Sequence, residues 1–77
     1  MLRFSKFFKA YLHRCHAADA DFYGADFRQA NLRYGDFRGA NLSGCNFQGS
    51  DLTEADLRGA NLVGADLVDT IMKDVKF

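Results

Sequence analysis

The residues with the most chemical potential sit close together near the start of the 77-residue chain, in the run HRCH: His13, Cys15 and His16. Two imidazoles and a thiol at this spacing suggest either a metal site or a nucleophile with a base. Neither reading finds its remaining parts. His13 and His16 can share a helix face, but Cys15 falls in an apolar stripe, and no fourth ligand stands at a recognisable metal-binding distance along the chain. Aspartates are abundant, but they recur with a fixed period, which explains them as a repeated structural position without general acid work. The sequence therefore predicts no catalytic residues, no metal and no cofactor, and the chain reads as a non-enzyme.

The period itself is the main signal. From Ala20 the chain divides into five-residue words: ADFYG ADFRQ ANLRY GDFRG ANLSG CNFQG SDLTE ADLRG ANLVG ADLVD TIMKD VKF. Five matches neither the α-helix nor the simple strand. In each word a small residue stands two places before a large apolar centre, so both lie on one side of an extended stretch and point inward. The Asp or Asn between them, Asp21 through Asp66, points outward with the residue after the centre. Gly ends six of the words, which suits a corner. Each word is thus a short side and a corner, and their succession winds the chain into a coil.

This A(D/N)LXX pattern resembles the pentapeptide-repeat family from Ala20 to Leu67, and the match weakens from Thr70 to Phe77, where Ile71 replaces Asp or Asn. The resemblance implies an all-β solenoid, a right-handed quadrilateral β-helix with four words per turn and about three coils. Four columns of centres follow: Phe22, Leu42 and Leu62; Phe27, Phe47 and Leu67; Leu32, Leu52 and Met72; Phe37, Leu57 and Phe77. Cys45 falls between Ala25 and Ala65, so it does not meet Cys15 and both thiols are expected to be free. Two cysteines are too few for a disulfide scaffold, and the segment holding Phe4, Phe7 and Phe8 is broken by Lys6 and Lys9, so a cytoplasmic protein without a transmembrane span is expected.

The first eighteen residues admit two readings. The five-residue register extends backwards as SKFFK AYLHR CHAAD, with Phe7 and Leu12 at centres and Ala17 failing. Alternatively, Phe4, Phe7, Phe8, Tyr11, Leu12 and Cys15 follow helical spacing with basic residues between them. The helix is the preferred reading. It divides the chain into a basic amphipathic helix over 1–18, capping the first coil, and a β-helix over 19–77; membrane binding by that helix is the lesser role. Charge divides in the same way. The head carries four basic residues and no acid, and the remainder has six basic and ten acidic, 6 − 10 = −4, so the ten-to-ten total of the whole chain conceals a segregation.

A rod filled by its own side chains leaves surfaces as the functional parts, and the expected role is a structural or protein-interaction module with an unidentified protein partner. Arg38 and Arg58, with Asp36 and Asp56, form one candidate strip, in which the opposite charges should neutralise across neighbouring coils. Arg33, Tyr34 and Lys73 on the third side form another. Some members of the family act as DNA mimics on type II topoisomerases, which is the alternative function; direct nucleic-acid binding is not expected. At the C-terminal end Met72, Val75 and Phe77 continue the inward pattern without cover, which suggests a homodimer joined through the C-terminal coils with the basic heads outermost.

Overall fold

Residues 2–77 are described by the computed structural model, whose extents are 25 × 22 × 20 Å. Parallel bridges join each outward position to the one twenty residues on. They link Lys6 to Asp26, Tyr11 to Asn31 and His16 to Asp36, and continue up the coil to Asp56 and Lys76. Four five-residue words therefore make one turn, as the family resemblance implies. We number the coils 1 (2–20), 2 (21–40), 3 (41–60) and 4 (61–77). The sides take their numbers from the centres Phe22 (first), Phe27 (second), Leu32 (third) and Phe37 (fourth).

The backbone forms this shape because nearly every amide has a place to go. Within a word, the small residue donates to the carbonyl of the preceding centre, closing a tight turn, as Ala30 does to Phe27 at 3.1 Å. The outward residue donates to the coil below, Asn31 to Ala10 at 2.9 Å, and the centre donates to the coil above, Leu32 to Asp51 at 2.8 Å. The second corner residue also donates upward, Tyr34 to Thr53 at 2.9 Å. Only the N–H just after the centre lacks a backbone partner. The outward Asp or Asn two residues earlier accepts it through Oδ1 at 2.9–3.2 Å in all ten words from Asp21 to Asp66. Asp and Asn alternate at this position because each carries that oxygen at the same reach.

Every corner turns through a residue with φ between 55° and 73°, as a type II turn requires at its third position. Glycine takes this conformation without Cβ strain, yet Phe4, Lys9, Arg14, Asp19, Gln29, Tyr34, Glu54, Asp69 and Asp74 adopt it too. At two corners glycine is also needed for space. A Cβ on Gly24 would come within 2.6 Å of the Phe4 ring in the coil below, and one on Gly39 would strike the Asp19 carboxylate.

The large centres fill the interior. Phe27, Leu32, Phe37, Leu42, Phe47 and Leu52 are completely buried. Phe7, Phe27 and Phe47 stack in a column with centroids 5.0 and 5.1 Å apart and rings nearly parallel, while Phe22 and Phe37 meet their neighbours edge-on. Offset parallel and edge-to-face contacts are the favoured aromatic geometries. Among the small inward residues, Cys45 is buried and its thiol donates to the Phe22 carbonyl at 3.0 Å. Burial pushes that thiol's pKa up to about 11, and both cysteines are free.

The N-terminal helix is the principal correction. Residues 2–18 lie in coil 1, with no helix among the described residues. Phe7 and Leu12 are centres packed against the core, and Ala17 is a buried centre despite its size. Phe4, Phe8 and Tyr11, half of the expected apolar stripe, lie outside instead, with Tyr11 74 % exposed. The ladder to coil 2 decides the matter: the amides of Phe7, Lys9, Leu12 and Arg14 donate to Asp26, Arg28, Asn31 and Arg33. The coil therefore runs unbroken through position 18, and nearly four turns are present where three were expected. The columns extend to the last turn, but Leu67 and Phe77 are exposed there because no coil lies above.

Substitutions at three positions probe this design. Asn61→Ala removes the acceptor for the Val63 N–H and is expected to cost about 0.5–1 kcal/mol in chemical denaturation, whereas Asn61→Asp keeps the oxygen and much of that stability. Gly35→Ala places a Cβ 2.5 Å from the fully buried Phe37 ring and 3.1 Å from the Leu32 carbonyl, and should cost about 1–3 kcal/mol. Adding Phe37→Leu should recover part of the Gly35→Ala loss, so the double variant should cost less than the sum of the two.

Candidate functional site

The corner between the third and fourth sides gathers the largest group of aromatic and cationic side chains among the described residues, with Arg14 and Lys73 exposed and His13, Arg33 and Tyr34 half-buried. Its second corner positions are Arg14, Tyr34, Glu54 and Asp74, one per coil, and the residues before them are His13, Arg33, Thr53 and Lys73. The ladder fixes their spacing, since Arg14 donates to the Arg33 carbonyl, Tyr34 to Thr53 and Glu54 to Lys73 at 2.8–2.9 Å.

The Tyr34 ring is the platform of this cluster. The Arg14 guanidinium lies 4.6 Å and that of Arg33 5.8 Å from its centroid, and His13 meets it edge-on at 5.5 Å. His13 also stacks on Tyr11 at 5.8 Å. Two cations against one aromatic ring gain from its quadrupole, and neither is held by a close carboxylate among the described residues. Arg33 comes no nearer than 3.9 Å to Asp51, and its Nε is buried without a hydrogen-bond partner. Asp51 itself already accepts from the Thr53 amide and hydroxyl. The corner thus brings two guanidiniums to an aromatic ring without a two-pronged carboxylate pair on either, which suits a carboxylate or another anion.

The Arg38 and Arg58 strip is arranged differently from expectation. Each arginine forms a two-pronged pair with the aspartate of its own word, Arg38 Nε and Nη2 at 2.8 and 2.7 Å from Asp36, and Arg58 at 2.9 and 2.6 Å from Asp56. Neutralisation therefore runs within each coil and not across neighbouring coils, because the aspartate that caps the corner amide already holds its carboxylate beside the arginine two residues on. Arg28 and Asp26 repeat the pattern. Hydrogen bonds from the Arg38 side chain, and next from its backbone N–H, hold Asp36 down to about 2, and Asp26 and Asp56 are lowered for the same reasons.

HRCH is divided by a corner. His13 joins Tyr34, Cys15 points inward and is half-buried, and His16 faces outward in line with Asp36. Among the described residues no three His, Cys, Asp or Glu side chains are grouped to hold a metal ion. Of the sequence candidates, Arg33 and Tyr34 are adjacent at the cluster, while Lys73 lies in the same line two coils away. Met72 and Val75 are half-buried and Phe77 is exposed at the open end. Arg14 and His13 were not among the expected site residues. The signal for them is the backward register, which puts Arg14 twenty residues before Tyr34.

A family model for pentapeptide repeats matches residues 5–44 and 36–74, with eight copies. No curated protein matches the chain. Among solved structures, a pentapeptide-repeat protein from the Arabidopsis thaliana thylakoid lumen superposes with a TM-score of 0.85 at 25 % identity, over 97 % of this chain and 64 % of that one. A pentapeptide-repeat protein from Nostoc PCC 7120 superposes with a TM-score of 0.59 at 33 % identity, over 91 % and 62 % respectively. This chain spans less than two thirds of the length of either.

The folded-state value of Asp36 lies below its ordinary 3.8. Its contribution to stability is therefore full above about pH 4 and is lost as the pH falls through about 2. A carboxyl NMR titration should place its midpoint near 2, and Arg38→Met should move that midpoint up toward the ordinary value.

Proposed function

Because the chain belongs to the pentapeptide-repeat family, whose members form right-handed quadrilateral β-helices, we propose that it is a non-catalytic protein-interaction module. Its partner would present an acidic segment to the Arg14, Arg33 and Tyr34 corner. The observation that carries this reading is the pair of guanidiniums, Arg14 and Arg33, on the Tyr34 ring, neither held by a two-pronged carboxylate pair. Elsewhere on the sides Arg28, Arg38 and Arg58 are each engaged by a carboxylate of their own word. The interior supports the non-catalytic part of the reading, since stacked centres occupy the space in which a substrate pocket would have to lie.

The same ion pairs weigh against the alternative of a DNA mimic acting on a type II topoisomerase. Such a mimic needs rows of unneutralised carboxylates to stand in for phosphates. Here Asp26, Asp36 and Asp56 each carry an arginine.

Titrating the labelled protein with a glutamate-rich peptide should perturb amide signals around Arg14, Arg33 and Tyr34 and leave those around Arg38 and Arg58 unmoved. Arg33→Glu should weaken that binding about tenfold or more, with an unchanged circular dichroism spectrum. Perturbations spread evenly over the molecule would remove the corner as the site. Inhibition of gyrase supercoiling by the purified protein would favour the mimic instead.

A further inference from the structure

The two ends of the coil are complementary edges. At the upper edge, the amides of Gly64, Leu67, Asp69, Met72, Asp74 and Phe77 point away from coil 3 and make no backbone bond among the described residues; the carbonyls of Ala65, Thr70 and Val75 are likewise unused. At the lower edge the amides of Lys6, Tyr11 and His16 and the carbonyls of Arg3, Lys6, Phe8, Tyr11, His13 and His16 are free in the same sense. Each set is what the other lacks.

The side chains select how the edges meet. Bridged residues are twenty apart, so in a continuous stack residue n of an upper copy lies in line with residue n + 60 of a lower one, three bridge steps away, 3 × 20 = 60. In that register Lys6 stands over Asp66, Lys9 over Asp69 and Arg14 over Asp74. Exposed apolar residues meet as well, Phe8 over Val68 and Tyr11 over Ile71, and the Phe7 and Leu12 centres continue the columns of Leu67 and Met72. Turning the upper copy by one side in either direction leaves a single acid–base pair: Lys9 over Asp74, or Arg14 over Asp69. The segregation of charge along the chain thus becomes a match between its two ends.

We infer that the open C-terminal coil is an interaction surface for the N-terminal coil of a second copy of this chain, stacked head to tail so that the four-sided ladder continues across the junction. In the ladder's own pattern the junction forms nine backbone hydrogen bonds, six donated upward by the amides named above and three donated downward by Lys6, Tyr11 and His16, 6 + 3 = 9. Because the two edges differ, the contact is heterologous and does not close at two. This surface lies at the ends of the rod and shares only Arg14 with the side corner proposed to receive an acidic partner.

Sedimentation of the intact 77-residue chain over a concentration series tests the arrangement. The weight-average mass should rise past that of a dimer without a plateau, and should fall as salt is raised, because the three ion pairs are exposed to screening. Lys9→Asp, and separately Asp69→Lys, should each weaken association severalfold. Mixing the two variants should restore it, since each then carries the edge the other lacks. A mass that stops at two copies and ignores the Lys9→Asp change would overturn head-to-tail stacking in favour of an isologous C-terminal dimer. A monomer at every concentration would overturn both. The salt series on the unaltered chain decides between stacking and monomer even if a charge-reversed variant fails to fold, and neither variant alters Arg14, Arg33 or Tyr34, so peptide binding at that corner is read separately.

Discussion

One amide in every five residues controls this structure. Four of the five N–H groups in a word find carbonyls, one by closing the turn and three by pairing with the coils above and below. The fifth, just past the buried centre, faces the corner, where no carbonyl is within reach. Asp or Asn two residues earlier is the local acceptor that allows the chain to bend there. Once that oxygen is in place, the corner can recur every five residues, sides of equal length can stack, and the inward positions fall into columns. Where the acceptor is missing, as at Lys6, Tyr11, His16, Ile71 and Lys76, the word lies in the first or last coil. There the coil next to it, and not its own side chain, holds the chain in register.

Packing follows from the same geometry. A side only five residues long has room for one large inward side chain and one small one, and the width of the rod allows centres from opposite sides to meet without a gap. Phenylalanine at the second-side positions Phe7, Phe27 and Phe47 stacks at the spacing of the coils, so the ladder and the ring column reinforce each other. Gly35 shows how finely volume is shared: the Phe37 ring occupies the space that a methyl group would need.

With the interior filled and the backbone paired, chemical variety is confined to the outward and corner positions and to the ends. Most outward charge is already spent, since an aspartate that caps a corner amide is also well placed to hold an arginine two residues on. Interaction capacity is left where that pairing fails. On the side this happens at the third corner, where the cap is Asn31, an uncharged residue, and Arg33 turns to the Tyr34 ring. At the ends it happens because the ladder stops.

Much of this was legible in the sequence, because the five-residue word is a local code. Small residue, Asx, large centre and corner each act within a few positions, so the coil from Ala20, its columns and the separation of the two thiols can all be read without coordinates. The Asx side chains read as outward from the pattern, but their bond to the corner amide is not visible there, because it depends on which backbone donor the ladder leaves over. Coil 1 was decided only in three dimensions. Its apolar residues fit a helical stripe as well as a five-residue register, and Ala17 argues locally against the latter. The choice was made by coil 2, whose carbonyls at Asp26, Arg28, Asn31 and Arg33 accept amides about twenty residues distant in sequence. A helix over 2–18 would satisfy its own amides but leave the Phe22, Phe27 and Leu32 coil without a paired edge, and no property of the segment by itself records that cost.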